Sequence, residues 1–268
     1  MSKLNELVIG IKSGGEIGSG IAYRLFKANM KNIFIMDIPT PLTVRRKVAF
    51  CEAVHDGKII VEGVEAKKIV SPDGMQLAWD ENKIPVIVDP DWDCIKTIKP
   101  HVVIDAIIAK RNLGTSMKEA PLTIGLGPGF DAGKDVHIAI ETNRGHNLGR
   151  VISKGCPEPN TGIPGETKGF TIERVLRAPC EGIFRSDLEI GAMIKKDQVV
   201  GHVNSDPVIA QIDGILRGQI RTGTKVTDKL KIGDIDPRGE KNNCITISEK
   251  ARAIGGSVLE AVLNKYNL

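Results

Sequence analysis

The sequence predicts a two-module chain: an α/β domain on a mostly parallel sheet, then a small all-β domain with a C-terminal helix. Three observations predict it. Short β-branched runs alternate with helical periods over the first 150 residues, a glycine-rich turn directly follows the first such run, and the last third contains an internal repeat. At 268 residues the chain exceeds one average core, and 41% hydrophobic with 26% charged residues is ordinary for a globular protein.

Strands are expected at 7–11, 33–38, 85–89, 102–107, 122–125 and 136–141, with helices at 17–28, 43–54 and 93–98. The first turn reads Lys12-Ser13-Gly14-Gly15-Glu16-Ile17-Gly18-Ser19-Gly20 and leads into a helix. Against G-x-G-x-x-G, Gly15 and Gly18 fill the second and third positions, and Ser13 stands in the first. Gly15 would let backbone approach a pyrophosphate, and Gly18 would let the helix press on the sheet. Asp37 ends the next strand about 20 residues on, where a ribose-binding acid belongs. Turn, strand and acid together predict a Rossmann-like nucleotide-binding domain over 1–150. Its candidate cofactor-binding residues are Ser13, Gly14, Gly15, Gly18 and Asp37. A dinucleotide of NAD(P) type, a mononucleotide, another anion, and glycines that serve packing alone all remain open.

Ligands of open α/β sheets bind beyond the carboxyl ends of the strands. Three more segments should end there: Asp105 to Asn112, Gly125 to Asp131 and Glu141 to His146. Asp105 adds a carboxylate, Gly127 and Gly129 flank a Gly-Pro-Gly loop able to present N–H groups to an anion, and Arg144 and His146 add a fixed charge and a titratable group. These stretches are expected to meet the glycine turn in one crevice. Residues 151–169 are rich in proline and glycine and read as a linker loop. Cys156 lies in it near Arg150 and Lys154, a setting that would favour a reactive thiolate. The plainer alternative is an inert thiol.

A shift of 32 residues lays Ala178, Gly182, Ile183, Arg185, Gly191 and Gly201 over Ala210, Gly214, Ile215, Arg217, Gly223 and Gly233. Two such halves can close face to face over 170–245. The pattern resembles biotinyl/lipoyl-like barrel-sandwich domains, which carry a modified lysine on the hairpin between their halves. Here that hairpin is Asn204-Ser205-Asp206-Pro207, and no lysine lies between Lys196 and Lys225, so biotin and lipoate are not expected. Over 246–268, Ser248 caps a helix whose Gly255-Gly256 permits close packing on the sheet or a break.

Other classes are excluded by composition. A net charge of +4, with Arg45, Arg46 and Lys47 as the densest basic cluster, gives no nucleic-acid face. No apolar run reaches membrane-spanning length and none reads as a leader, which sets a cytoplasmic expectation. Five scattered cysteines without a C-x-x-C pair suit a reducing compartment and no structural metal.

Longer stretches carry a family resemblance. They include Gly18-Ser-Gly-Ile-Ala22, Asp105-Ala-Ile-Ile-Ala109-Lys110, Gly125-Leu-Gly-Pro-Gly129-Phe130 and Glu141-Thr-Asn-Arg-Gly-His146. Asn160-Thr-Gly162, Lys231 to Gly239 and Lys250 to Gly256 continue the series. The chain resembles the YqeB family of selenium-dependent molybdenum hydroxylase accessory proteins, related to XdhC-type factors. Ser13 and Glu16 depart from that family's usual Gly-Ala-Gly-Asp-Ile-Ala-Ser-Gly turn. The resemblance implies a maturation role that handles a nucleotide or molybdenum-cofactor-like anion. It makes Cys156 the candidate carrier of selenium or sulfur, with Arg144 and His146 beside it. A client hydroxylase and other maturation factors are the implied partners, and a homo-oligomer stays open. The alternatives are an NAD(P)-dependent oxidoreductase, with Asp37 on ribose, Arg45 or Arg46 on a phosphate and His146 as acid/base, and a non-catalytic scaffold.

Overall fold

A computed structural model describes residues 3–267. The chain separates into two compact units, Met1–Pro41, Ala49–Asn160 and Ile247–Leu268 in the first, Leu42–Val48 and Thr161–Thr246 in the second. The division differs from the expected one in two places. The C-terminal helix belongs to the first unit, and the second begins at residue 161 after an early excursion at 42–48.

In the first unit, β1 (Ile9–Lys12), β2 (Ile33–Asp37), β3 (Lys58–Val61), β4 (Val64–Ile69), β5 (Ile84–Val88), β6 (Val102–Asp105), β7 (Leu122–Leu126), β8 (Ile138–Ile140) and β9 (Val151–Ile152) form one sheet. Its order is β3-β4-β5-β2-β1-β6-β7-β8-β9. Every neighbouring pair from β4 to β8 is parallel, and the outer strands β3 and β9 are antiparallel to their neighbours. The order reverses between β1 and β6, whose carboxyl ends therefore flank a topological switch point. β1, β2, β6 and β7 are buried at every position, as expected of strands covered on both faces.

The sheet's helices are α1 (Glu16–Lys27), α2 (Ala53–Asp56), α3 (Gly74–Asp80) and α4 (Cys94–Ile98). The helix expected over 43–54 does not form. Residues 42–48 instead lie on the second unit, where Arg45 donates to the carbonyls of Asn243 and Thr246, Arg46 to that of Gln219 and Lys47 to that of Ile190. Three basic side chains with fixed carbonyl partners outweigh local helical periodicity. The β3–β4 hairpin turns on Glu62 and Gly63, both at positive φ, the geometry of a two-residue primed turn.

After α5 (Asn242–Ile245) in the second unit, the chain returns to the first as α6 (Glu249–Tyr266), whose cap Ser248 accepts from the Ala251 N–H. α6 packs chiefly on α1, through Gly255 alone of its glycine pair, and also touches β7, β8 and β9 of the sheet. A methyl group at Gly20 would lie 2.7 Å from the Ala251 Cβ, and one at Gly255 would lie 3.0 Å from the Gly20 oxygen.

The second unit contains β10 (Val175–Arg177), β11 (Gly182–Arg185), β12 (Met193–Ile194), β13 (Val199–Val203), β14 (Asp206–Ile209), β15 (Gly214–Gln219), β16 (Lys225–Val226) and β17 (Lys231–Asp236). They form two four-stranded sheets, β10-β17-β15-β12 and β14-β13-β11-β16. The sequence repeat relates β10–β13 to β14–β17, and under that exchange each sheet becomes the other. Each half thus gives strands to both sheets and buries the other's apolar face around Phe184, Val203, Leu216 and Ile235. Equivalent glycines lie at equivalent close approaches: Gly182 against the Asn204 side chain and Gly214 against the Asp236 carbonyl.

The acidic and basic residues of 231–239 form a buried ion-paired turn. Arg174 and Arg217 pair with Asp234, while Arg238 grips Asp236. Burial pushes the Asp236 carboxyl upward, but the Arg238 guanidinium and backbone N–H outweigh it and hold the pKa at about 2. A carboxylate depressed in the folded state stabilises fully above its unfolded value of 3.8 and loses that contribution as pH falls through about 2. Denaturant titrations at pH 5 and pH 2 should differ by ~2 kcal/mol from this group. Asp236→Asn should flatten the difference, and an unchanged pH dependence in that variant would refute the assignment.

Candidate functional site at the carboxyl edge of the sheet

Parallel strands place the ends of β1, β2, β6, β7 and β8 along one edge, and all the candidate loops except the one bearing Cys156 emerge there directly. At β1, Ser13 has φ +74, the left-handed conformation that glycine would adopt without strain. Gly18 lets α1 touch the turn, since a methyl there would lie 2.1 Å from the Ser13 oxygen. Gly14 is closed to any ligand. Its N–H donates to Asp37 Oδ2 at 2.7 Å, and its carbonyl accepts from Ser19 Oγ at 2.8 Å and from the Cys51 N–H at 3.0 Å. The chain's own Phe50–Cys51 backbone covers it, with the Phe50 N–H on Ser19 Oγ. Gly15 alone has room around it.

Asp37 is buried, and its second oxygen accepts from the Ile38 N–H at 2.8 Å. Burial pushes its carboxyl above the ordinary range, against the opposing pull of the Gly14 and Ile38 N–H groups. It clamps the glycine turn, and both oxygens are engaged before any ribose arrives. Arg45 donates through Nη2 to the Asn243 and Thr246 carbonyls and Arg46 through Nε to that of Gln219, which holds both side chains on the second unit. A dinucleotide held in the conventional way does not fit this turn.

The switch point holds a different constellation. Lys12, the last residue of β1, is fully buried. Its Nζ lies 2.7 Å from Thr115 Oγ1, 2.9 and 2.8 Å from the two Glu119 oxygens and 5.5 Å from the Trp92 ring centre. Thr115 Oγ1 donates in turn to Asp105 Oδ2 at 2.7 Å, while Asp105 Oδ1 accepts from the Ile107 N–H. Asp105, Thr115, Lys12 and Glu119 are therefore one hydrogen-bonded chain joining β6 to β1. Non-glycine residues at positive φ gather around it: Ser13, Trp92, Ile108 and Lys110. For a β-branched residue such as Ile108 this conformation is strained, and strain of this kind concentrates at functional sites. Of these four residues, Asp105 is expected from the sequence, while Lys12, Thr115 and Glu119 are not among the candidates it offers. The one legible signal was a lysine closing an otherwise apolar central strand.

The remaining candidates form a separate outer group. Gly127 is buried, donates its N–H to the Ile140 carbonyl and packs against Thr142, so the expected nest is not open at that position. Gly129, at φ +108, gives passage to the Arg111 backbone. Beyond β8, Arg144 pairs with Glu249 and His146 is exposed. Buried Glu141 accepts from the N–H groups of Asn143 and Glu158, both at 2.6 Å, and the Asn143 and Asn147 side chains grip the Glu158 carboxylate. That ties the 141–149 loop to the segment after Cys156. Cys156 is exposed. Cys51, Cys94 and Cys244 are buried, with Cys94 pushed up to about 12 by burial and by Asp89. At a strand spacing of about 4.8 Å, β8 lies about 14 Å across the sheet from β1. The edge is shared, but the expected single crevice is two groups.

Among the described residues no cluster of three or more His, Cys, Asp or Glu side chains is arranged for a metal ion, and no helix is long and apolar enough to cross a membrane. The fold and edge define a two-unit protein: an α/β unit with a charged switch point and a symmetric all-β unit. It is 46% identical over 259 residues, 97% of its length, to "Uncharacterized protein YqeB" of Escherichia coli (strain K12). The chain spans 48% of that relative. No family model matches it. Among solved structures, TcdA (CsdL) overlaps 49% of this chain and 52% of its own at 14% identity and a TM-score of 0.30. A succinylglutamatedesuccinylase/aspartoacylase from Rhodobacter sphaeroides overlaps 32% of this chain and 30% of its own at 20% identity and a TM-score of 0.22. At these TM-scores neither likeness carries an argument about this chain.

Proposed function

We propose that this protein is a YqeB-type accessory factor in the maturation of selenium-dependent molybdenum hydroxylases. In this reading it binds a nucleotide-like or molybdenum-cofactor-like anion on its α/β unit. The observation that carries ligand binding is the Asp105–Thr115–Lys12–Glu119 chain, a buried charge network at the switch point where ligands of open α/β sheets bind. The strand order β5-β2-β1-β6-β7-β8 supports a Rossmann-like unit, and two sheets exchanged by the repeat support a barrel-sandwich second unit. The resemblance in motifs is what supports the maturation role, and the identity with YqeB supports the family alone. The sealed state of Asp37 and Gly14 speaks against the NAD(P)-dependent oxidoreductase.

Cys156 is the thiol suited to carry selenium or sulfur, being exposed where three of the other four are buried. In a host lacking this protein, Cys156→Ser is expected to abolish recovery of active selenium-containing hydroxylase while Cys180→Ser supports it. Full recovery with Cys156→Ser would remove the thiol from the mechanism. Melting temperature should rise with an added mononucleotide and stay level with NAD(H) and NADP(H), because only ligands of the folded state raise it. The opposite order would restore the oxidoreductase.

A further inference from the structure

The β6–β7 connection is unusual for a sheet covered on both faces. Sixteen residues, 106–121, pass from one strand to the next with a single helical turn, Met117–Glu119, where a full crossover helix would ordinarily lie. Between this segment and the β5–β6 crossover bearing α4 the structure leaves a groove of about 930 Å³. That volume is in the range of small-molecule sites. Its wall is apolar and aromatic at Trp92, Ile95 and Leu113, and its rim carries Lys99 and Lys118. Neither lysine has a carboxylate partner among the described residues.

The floor is charged, and the fold explains why. A side chain at Gly10 would strike the Phe34 ring, and Phe34 packs in the cluster that contains Cys94 and Ile95 of α4. Two residues on, Lys12 points to that same side. Its Nζ is neutralised by Glu119, which lines the groove, and lies near the ring of Trp92, which also lines it. With Glu119 so engaged, Lys99 and Lys118 leave the rim positive despite Asp91 beside them.

We infer that this groove binds a planar aromatic anion of mononucleotide size, its ring against Trp92 and its phosphate between Lys99 and Lys118. Aromatic stacking and lysine–phosphate pairing are the interactions these residues offer. The inference rests on the reading of the α/β unit as a binder of an anionic ligand, and it names the ligand's class and place. It does not use the glycine turn.

The test uses the two tryptophans of the chain. Trp79→Phe leaves Trp92 as the sole indole, and AMP and GMP are titrated against its fluorescence, with unlabelled wild-type protein followed in parallel by calorimetry. A saturable change is expected, weakened about tenfold or more by Lys99→Ala/Lys118→Ala and by replacing AMP with adenosine. Both lysines are exposed, so the double variant should keep its fold. Calorimetric binding that the double variant retains, with Trp92 unresponsive, would overturn the groove and leave ligand binding by the unit standing. Absence of heat and of fluorescence change up to about 1 mM AMP and GMP would overturn both.

Discussion

Replacing Lys12 by methionine is expected to destabilise the protein by about 3 kcal/mol, the lower end of the cost of removing one partner from a buried ion pair. The side chain is fully buried, so methionine fits the volume of its stem and the loss falls on the charge. Asp105 keeps two donors, the Thr115 hydroxyl and the Ile107 N–H, and suffers little directly. Glu119 loses its countercharge outright. Its side chain is 18% exposed, so it can turn part-way to water, which is why the lower end of the range applies. Adding Glu119→Gln to Lys12→Met removes the stranded charge and should return a large part of the loss. Urea denaturation of the three proteins measures this. A single variant within about 1 kcal/mol of wild type would show that the network contributes nothing to folding. An apolar residue closing β1 would suit the core better than a lysine that needs three partners, so the network's presence points to a task at the switch point rather than to stability.

The parallel sheet was legible because its central strands are buried on both faces and read as continuous apolar runs. β1, β2, β6 and β7 fall within a residue or two of their expected positions, and α6 matches its cap and length. Two failures have different causes. Residues 43–54 have helical periodicity, but Arg45, Arg46 and Lys47 find carbonyls far along the chain and draw the backbone out. The β3–β4 hairpin, with β3 largely exposed, lacks the burial that makes a strand visible, and its Glu62-Gly63 turn is a weaker signal than Asn-Gly. In the second unit the repeat offset anticipated two halves that bury one another, but not that each half would give strands to both sheets.

The site divided differently. Positions on the edge followed from strand order, but which groups meet there did not, because side-chain networks have no period in sequence. Asp105 was anticipated for its place at a strand end. Thr115 and Glu119 come from a connection with a single helical turn, and only folding brings them to Lys12. The glycine turn shows the reverse: its residues were visible, and their use was not, since Phe50–Cys51 closes over Gly14 from a segment that carries no signature.

That closed turn yields the sharpest expectation for a single methyl group. Gly18→Ala should destabilise the protein by about 3 kcal/mol or more, and Gly15→Ala by about 1 kcal/mol or less. At Gly18 the added carbon would lie 2.1 Å from the Ser13 oxygen and 3.3 Å from the Ala106 Cβ, so α1 or the turn must move by about an ångström to reach ordinary contact. The turn cannot retreat cheaply. Ser13 donates to the Met36 carbonyl, Gly14 is held by Asp37, and the Gly14 carbonyl is held by Ser19 and Cys51. The helix cannot retreat either, because α6 presses on its far side through Gly20 and Gly255. At Gly15 the nearest atom to the new carbon is the Ser13 hydroxyl, 3.7 Å away, and the backbone there is already extended. Equal denaturation midpoints for the two variants would mean that the turn yields freely. Asp37 would then be no clamp, and its carboxylate would be available to a ribose.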